Sequence, residues 1–304
     1  MPGEHVGSER VMPQGGRSVP RVRLVAFDLD GTLLAPDSSL HPAEWEGLQR
    51  LGGAGIVRVV VTGRSLATAR QVLEPHTPIE YLIFSSGCGV VRWKDGQPML
   101  QRRLSAPRGQ EIADVLLGYN VPFMAQGLIP NNHEIYFWRG DAALPTDFEQ
   151  RLAHHQAHTY AIEEPLHIGA RGLSQFVVPL PPDSPLVARL TQRLSACASV
   201  VQATSPFDGQ SVWLEIFPKG VNKGLTLDWL RRKLGIAHRC TVAVGNDYND
   251  ESMLEASARA YVVANAPASL RTRYGVIPSN AEHGCRKLMD ALTGLHAGSP
   301  TLGL

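Results

Sequence analysis

No pair of cysteines in this sequence has the short CxxC spacing of a zinc ribbon. Cys88, Cys197, Cys240 and Cys285 are scattered along 304 residues, which also argues against a disulfide framework. Each reads as a small apolar side chain of the interior, and a reducing cytoplasm is the expected compartment. Charge of one sign is equally scarce. Lys and Arg number 29 against 28 Asp and Glu, a formal net charge of +1, so no global field draws the chain to nucleic acid or an anionic membrane. An anionic ligand must then be held by a local site. Apolar runs such as Val57–Val61 fall far short of the roughly 20 residues that span a bilayer, so no membrane partner is expected. Residues 1–20 carry Pro2, Gly3, Gly15, Gly16 and Pro20 among polar residues, with no apolar segment like a signal-peptide core, and read as a flexible tail. No internal repeat is evident.

What is present is an alternation of apolar strands and amphipathic helices. Residues 22–28 form an apolar run ending in Asp-Gly-Thr chemistry, as a buried parallel strand would. A helix is expected over 41–51, with Trp45, Leu48 and Leu51 on one face, then a strand over 57–61. Ser65 caps a helix to about 73, and a third strand follows over 81–84. This order predicts a doubly wound α/β fold with a parallel sheet. From 87 to 207 the pattern shifts to short strands, such as 134–138 and 175–178, among helices and Pro-rich turns, an inserted α+β unit. Alternation then resumes with strands over 213–217, 241–245 and 261–264 and helices over 221–234, from 249, and over 282–292. The expected division is a tail over 1–20, a core over 21–86 and 208–295, the insertion over 87–207, and a C-terminal tail over 296–304.

The chemistry concentrates at strand ends. Asp28-Leu29-Asp30-Gly31-Thr32 follows the first strand, where ligands of doubly wound sheets bind. Two carboxylates one residue apart divide two tasks: one attacks, while the other protonates a leaving oxygen and later deprotonates water. The alternative is an acidic turn at a strand end.

In this motif the chain resembles the haloacid dehalogenase superfamily, whose phosphatases carry D-x-D-G-T after the first strand. Further motifs extend the resemblance. Thr62-Gly63-Arg64, ending the strand over 57–61, matches the T-G-R of the Cof-like sugar-phosphatase branch (subclass IIB). Glu215-Ile216-Phe217-Pro218 followed by Asn222-Lys223-Gly224 looks like its E-I-x-P and Lys-Gly pair, which favours Lys223 over Lys219. Gly245-Asn246-Asp247-Tyr248-Asn249-Asp250 resembles G-D-x-x-N-D, and 264–267 and 278–284 resemble the closing segments, so the likeness covers roughly 23–292.

The resemblance implies a Mg2+-dependent phosphatase of a small phosphorylated metabolite, a sugar phosphate above all. Asp28 would be its nucleophile and Asp30 its general acid and base, with Thr62 and Lys223 on the phosphoryl group and Leu29, Gly63, Arg64 and Asn249 lining the substrate. Asp28, Asp30 and the fourth motif would hold the metal. There the chain departs from the pattern, because Asn246 stands where the first metal-binding Asp is usual. Three possibilities stay open: the Asn carbonyl binds with lower affinity, Asp247 supplies the charge, or Asp250 does.

Ser86 likewise replaces a frequent Asn. The insertion corresponds to a cap, with Asn131, Asn132, His133, Trp138 and Arg139 as candidate substrate contacts. A phosphomutase and a noncatalytic phospho-ligand sensor are the alternatives. A separate constellation, His154 and His158, would share a helix face and could bind zinc, though a solvated face explains it as well.

Overall fold

The computed structural model describes residues 21–140, 146–162, 167–168, 171–205 and 209–296, and both expected tails fall outside these except for His296. The chain begins β1 (Leu24–Asp28), α1 (Pro42–Gly53), β2 (Val57–Val61), α2 (Leu66–Ala69), β3 (Tyr81–Phe84), β4 (Gly89–Arg92) and β5 (Pro98–Gln101). It continues α3 (Ala106–Gly118), β6 (Phe123–Gln126), β7 (Ile135–Trp138), α4 (Thr146–His154), β8 (Thr159–Ala161), β9 (Gln175–Leu180), α5 (Pro185–Leu194) and β10 (Ala198–Thr204). Then come β11 (Val212–Pro218), α6 (Lys223–Lys233), β12 (Thr241–Gly245), α7 (Glu251–Glu255), β13 (Arg259–Val263), α8 (Ala268–Arg271), β14 (Gly275–Ile277) and α9 (Gly284–His296).

Among the described residues the strands form two sheets. One is eight-stranded in the order β14-β13-β12-β1-β2-β3-β4-β5, and the other six-stranded in the order β10-β11-β9-β6-β7-β8. The run from β14 to β3 is parallel, with β1 between β12 and β2, so the first strand lies in the middle of the sheet. Every residue of β1 is buried. Successive side chains leave a strand on opposite faces. Accordingly Val25 and Phe27 pack with Leu48 and Leu51 of α1 and Leu288 and Met289 of α9. Leu24 and Ala26 pack with Leu227 and Leu230 of α6 and Met253 and Leu254 of α7. The expected doubly wound α/β fold is therefore what the structure shows.

The central strands β6 and β9 of the second sheet are buried on both faces: Ile112 and Leu116 of α3 and Leu190 and Leu194 of α5 pack on one, and Phe148 and Leu152 of α4 on the other. Its membership differs from the expected division at 87 and 207. β4 and β5 continue the first sheet as antiparallel strands beside β3, while β11 pairs with β9 and β10 in the second. An apolar strand pattern identifies a strand but not its neighbours, which are set by long-range pairing. Two further expectations change. The α2 helix ends at Ala69 instead of about 73, and α4 ends at His154, leaving His158 in a separate short turn, so these imidazoles do not share a helix face.

Candidate active site

The carboxyl ends of β1, β2 and β12 bring the first, second and fourth motifs together. Asp28 ends β1 at 4% exposure, and the chain turns directly after it, with Gly31 in the left-handed region at φ 71°. A side chain at that glycine would put a Cβ 2.6 Å from the Asn246 amide. Only glycine serves both demands. Thr32, from the same turn, donates its hydroxyl to Asp28 Oδ2 at 3.0 Å.

The third motif closes the site from α6. Asn222 caps this helix by accepting the Leu225 amide at 2.7 Å, which sets Lys223 as its first residue. Lys223 Nζ lies 2.7 Å from Asp28 Oδ1 and 2.6 Å from Asp250 Oδ1, and it donates to Asn249 Oδ1 at 3.3 Å. All three charged groups are buried, at 1% exposure for the lysine and 0% for Asp250. Burial pulls the ammonium pKa down, but the carboxylates of Asp250 and Asp28 outweigh it and raise it. Burial, followed by the Asp250 charge, pushes the Asp28 carboxyl up to about 7 against the pull of Lys223. Lys219, by contrast, donates to the Ser195 carbonyl, so Lys223 is the lysine the structure brings to Asp28.

On the other side, Thr62 directly follows β2 and its hydroxyl accepts the Arg64 amide at 3.0 Å. Arg64 grips Asp30 with two nitrogens, Nη2 at 2.6 Å and Nε at 2.8 Å. Its guanidinium pKa is raised, mainly by this hydrogen bond. Gly63 lies beside the Ser86 hydroxyl. The Leu29 side chain packs into the core, which leaves its backbone as the part of this residue that faces the turn after Asp28.

Both carboxylates of the fourth motif are engaged by protein groups. Asp250 Oδ2 accepts the amides of Asn246 at 2.8 Å and Asp247 at 3.1 Å, so Asp250 is spent on its own turn and on Lys223. Asp247 reaches the second sheet, accepting the Thr204 amide at 2.9 Å and its hydroxyl at 3.0 Å. In the amide orientation that satisfies both of its ends, Asn246 Nδ2 faces Thr32 Oγ1, the Asp30 carbonyl and Asp28 Oδ2, each at 3.1 Å. An amide has two hydrogens for these three oxygens. The nitrogen itself stands where these hard oxygens converge, so the set suits a magnesium ion once the amide turns its oxygen inward as a further, neutral ligand.

Sequence reasoning missed Thr32 as a partner of Asp28, although it stands inside the first motif. It also gave no role to Glu215, which is 5% exposed and accepts the Ser86 hydroxyl at 3.1 Å. Its acidic side chain in an otherwise apolar strand was the available signal. Of the candidates in the insertion, Asn132 is buried and donates to Ser85 Oγ at 2.6 Å, beside the site. Arg139 instead pairs with Glu149, and Trp138 packs on Phe123.

This geometry belongs to a known class: the profile of the haloacid dehalogenase-like hydrolases matches residues 25–289, and the chain is a member of that family. Its fold is shared with a solved subclass IIB member of the superfamily, and relatives that it resembles are named phosphatases. It is 29% identical over 254 residues to the HMP-PP phosphatase of Serratia proteamaculans, covering 82% of this chain and 86% of that one. Among solved structures, the phosphatase BT1666 of Bacteroides thetaiotaomicron superposes with a TM-score of 0.74 at 16% identity, covering 92% of this chain and 98% of that one. The subclass IIB sugar phosphatase BT4131 gives 0.68 at 18% identity, covering 88% and 98%. No helix among the described residues is long and apolar enough to cross a membrane.

Proposed function

We propose that the chain hydrolyses phosphate monoesters of small metabolites, sugar phosphates in particular, through an aspartyl-phosphate formed on Asp28. The observation that carries this reading is the buried Lys223 ammonium held between Asp28 and Asp250. Catalysis of phosphoryl transfer rests mainly on positioned charge, and a cation fixed 2.7 Å from the attacking carboxylate supplies it. Asp28 attacks phosphorus as Asp30 gives a proton to the departing alcohol. Asp30 then takes a proton from the water that opens the phospho-enzyme, releasing inorganic phosphate.

For Asp30 to carry that proton, Arg64 must loosen its two-nitrogen grip, and a phosphorylated substrate offers the guanidinium an alternative anion. Thr62 presents its hydroxyl to a phosphoryl oxygen. Asp28, the Asp30 carbonyl and Asn246 would hold a magnesium ion, which when bound supplies positive charge to the phosphoryl oxygens. The second sheet, with the segments that cross to it, acts as a cap that excludes water and selects the leaving group.

The test is phosphate release with Mg2+ from a panel of sugar phosphates and HMP-PP. Wild-type protein should turn over at least one member, and Asp28→Asn should abolish turnover while the circular dichroism spectrum stays unchanged. Isomerised phosphosugar without free phosphate would instead establish a mutase. Binding without turnover under every divalent metal would establish a sensor.

A further inference from the structure

A second group of metal-binding side chains converges where α1 meets the start of α9. One donor atom from each of His41, Glu44 and His283 lies within 4.8 Å of the others. We propose that these residues form a separate cation site, one that takes a transition-metal ion of the zinc class.

The chain builds the group from two places. His41 is the N-cap of α1, and its Nδ1 accepts the Ala43 amide at 3.1 Å, which puts Glu44 one turn along on the same face. His283 arrives from the other end of the sequence at φ 57°, in the turn just ahead of α9. The helices α1 and α9 pack against each other through Leu48, Leu51, Leu288 and Met289, so this meeting point is fixed by the core.

Glu44 is 3% exposed, which is unusual for a carboxylate, and it meets the His283 imidazole in a hydrogen bond. Its Oε2 stands 3.2 Å from His283 Nδ1 and 3.9 Å from His41 Nδ1. Four-coordinate zinc with bonds of about 2.0–2.1 Å separates its ligands by roughly 3.3–3.4 Å. The two observed separations bracket that value, so small side-chain movements suffice to close the set. The imidazole rings lie 4.1 Å apart between centroids, on the solvent side of the buried carboxylate, with side-chain exposures of 47% for His41 and 38% for His283. An ion therefore enters from water and keeps water in its remaining position. On taking it through Nδ1, His41 exchanges the Ala43 amide for the metal.

Two imidazoles and one carboxylate are borderline ligands that favour zinc, cobalt or nickel over magnesium. The oxygen set at Asp28 has the opposite preference, so the protein would sort the two kinds of ion between two places. An ion here also pins the segment that supports the active-site turn. Cys285, two residues beyond His283, reaches the Thr32 carbonyl at 3.4 Å, and Thr32 bonds Asp28.

The test strips the full-length protein of metal and titrates it with Zn2+ by calorimetry, and with Co2+ by visible absorption. Wild type, Asp28→Asn, His283→Gln and His41→Asn are compared, the last keeping a capping acceptor for α1. Wild type and Asp28→Asn should show one common site with the intense bands of four-coordinate cobalt. Each histidine variant should lose those bands and at least about tenfold in affinity, since even outer-sphere partners of a metal are worth about 10–100-fold. Zinc binding that survives both histidine changes, that disappears with Asp28→Asn, or that is absent from wild type overturns the proposal. If His283→Gln fails to fold, the exposed His41 position decides the matter alone.

Discussion

At Lys223 a single ammonium faces two carboxylates that are both out of water, and much of the local structure depends on it. Lys223→Met would leave Asp28 and Asp250 buried without their counter-charge. Breaking a buried pair from one side costs about 3–5 kcal/mol. Urea denaturation should show a loss of that order, together with loss of turnover; a change below about 1 kcal/mol would mean the carboxylates are relieved in another way. Asn246 is the complementary case, a neutral amide where the resembled motif carries an Asp. Asn246→Asp adds a carboxylate beside Asp28 and the Asp30 carbonyl, so Mg2+ affinity measured by calorimetry should rise at least about tenfold, or 1.4 kcal/mol. Without metal the same variant should melt lower, because a hydrogen bond to Asp28 gives way to repulsion between like charges. Equal Mg2+ affinity in the two proteins would remove residue 246 from the metal site. Asp28, Asp30, Thr62 and Lys223 were legible as candidates because each stands in a short motif at a strand or helix end. The partners of Asp247 and Asp250 were not, since neighbouring carboxylates in one turn point to Thr204 and to Lys223 for reasons of three-dimensional packing.

The elements that deliver these side chains are fitted closely enough for a methyl group to disturb them. Gly224 follows Lys223 in α6, and a Cβ there would stand 1.9 Å from the Ser252 carbonyl oxygen. Backbone cannot swing aside as a long side chain can, so Gly224→Ala must push α6 away from α7. Overpacking of this kind costs about 1–3 kcal/mol. The first turn of α6 carries the ammonium, and displacing a catalytic group by about 1 Å can cost on the order of a hundredfold in rate. Thermal melting should drop and kcat should fall much more than KM changes; a variant with wild-type kcat would show that α6 tolerates the shift. Strands were the elements read best from sequence. β2, β3 and β12 match their expected bounds because short apolar runs between turn residues leave few alternatives. Helix ends were read less well: α2 stops after one turn, and α7 starts two residues after the expected position, where the capping contacts of Asp247 and Asp250 shape the entry.

Across the whole molecule, the two sheets are fastened to each other around the active site. Thr204, at the end of β10, bonds Asp247 with both its amide and its hydroxyl, while Asn132 bonds Ser85, and Ser86 bonds Glu215 of β11. The two crossing segments are also tied together, Arg102 donating to the Gly220 carbonyl at 2.6 Å. Sequence pattern placed a change of character at 87 and 207, whereas sheet membership follows from long-range pairing, which sets β5 in the first sheet and β11 in the second. The Thr204–Asp247 contact joins the proposed cap to the fourth motif. Thr204→Val deletes the hydroxyl bond to Asp247 with little change of shape while keeping the amide bond, so it weakens the closed arrangement without touching Asp28 or Lys223. Hydrogen bonds to charged groups contribute about 1.5–3 kcal/mol, and a loss of one or two kcal/mol shifts a population by a factor of about 5–30. KM for a sugar phosphate should therefore rise several-fold. Hydrolysis of p-nitrophenyl phosphate, whose leaving group needs little from a cap, should change far less. Equal effects on both substrates would locate the role of Thr204 in the fourth motif itself, and no effect on either would mean that Asp247 does not couple the two sheets.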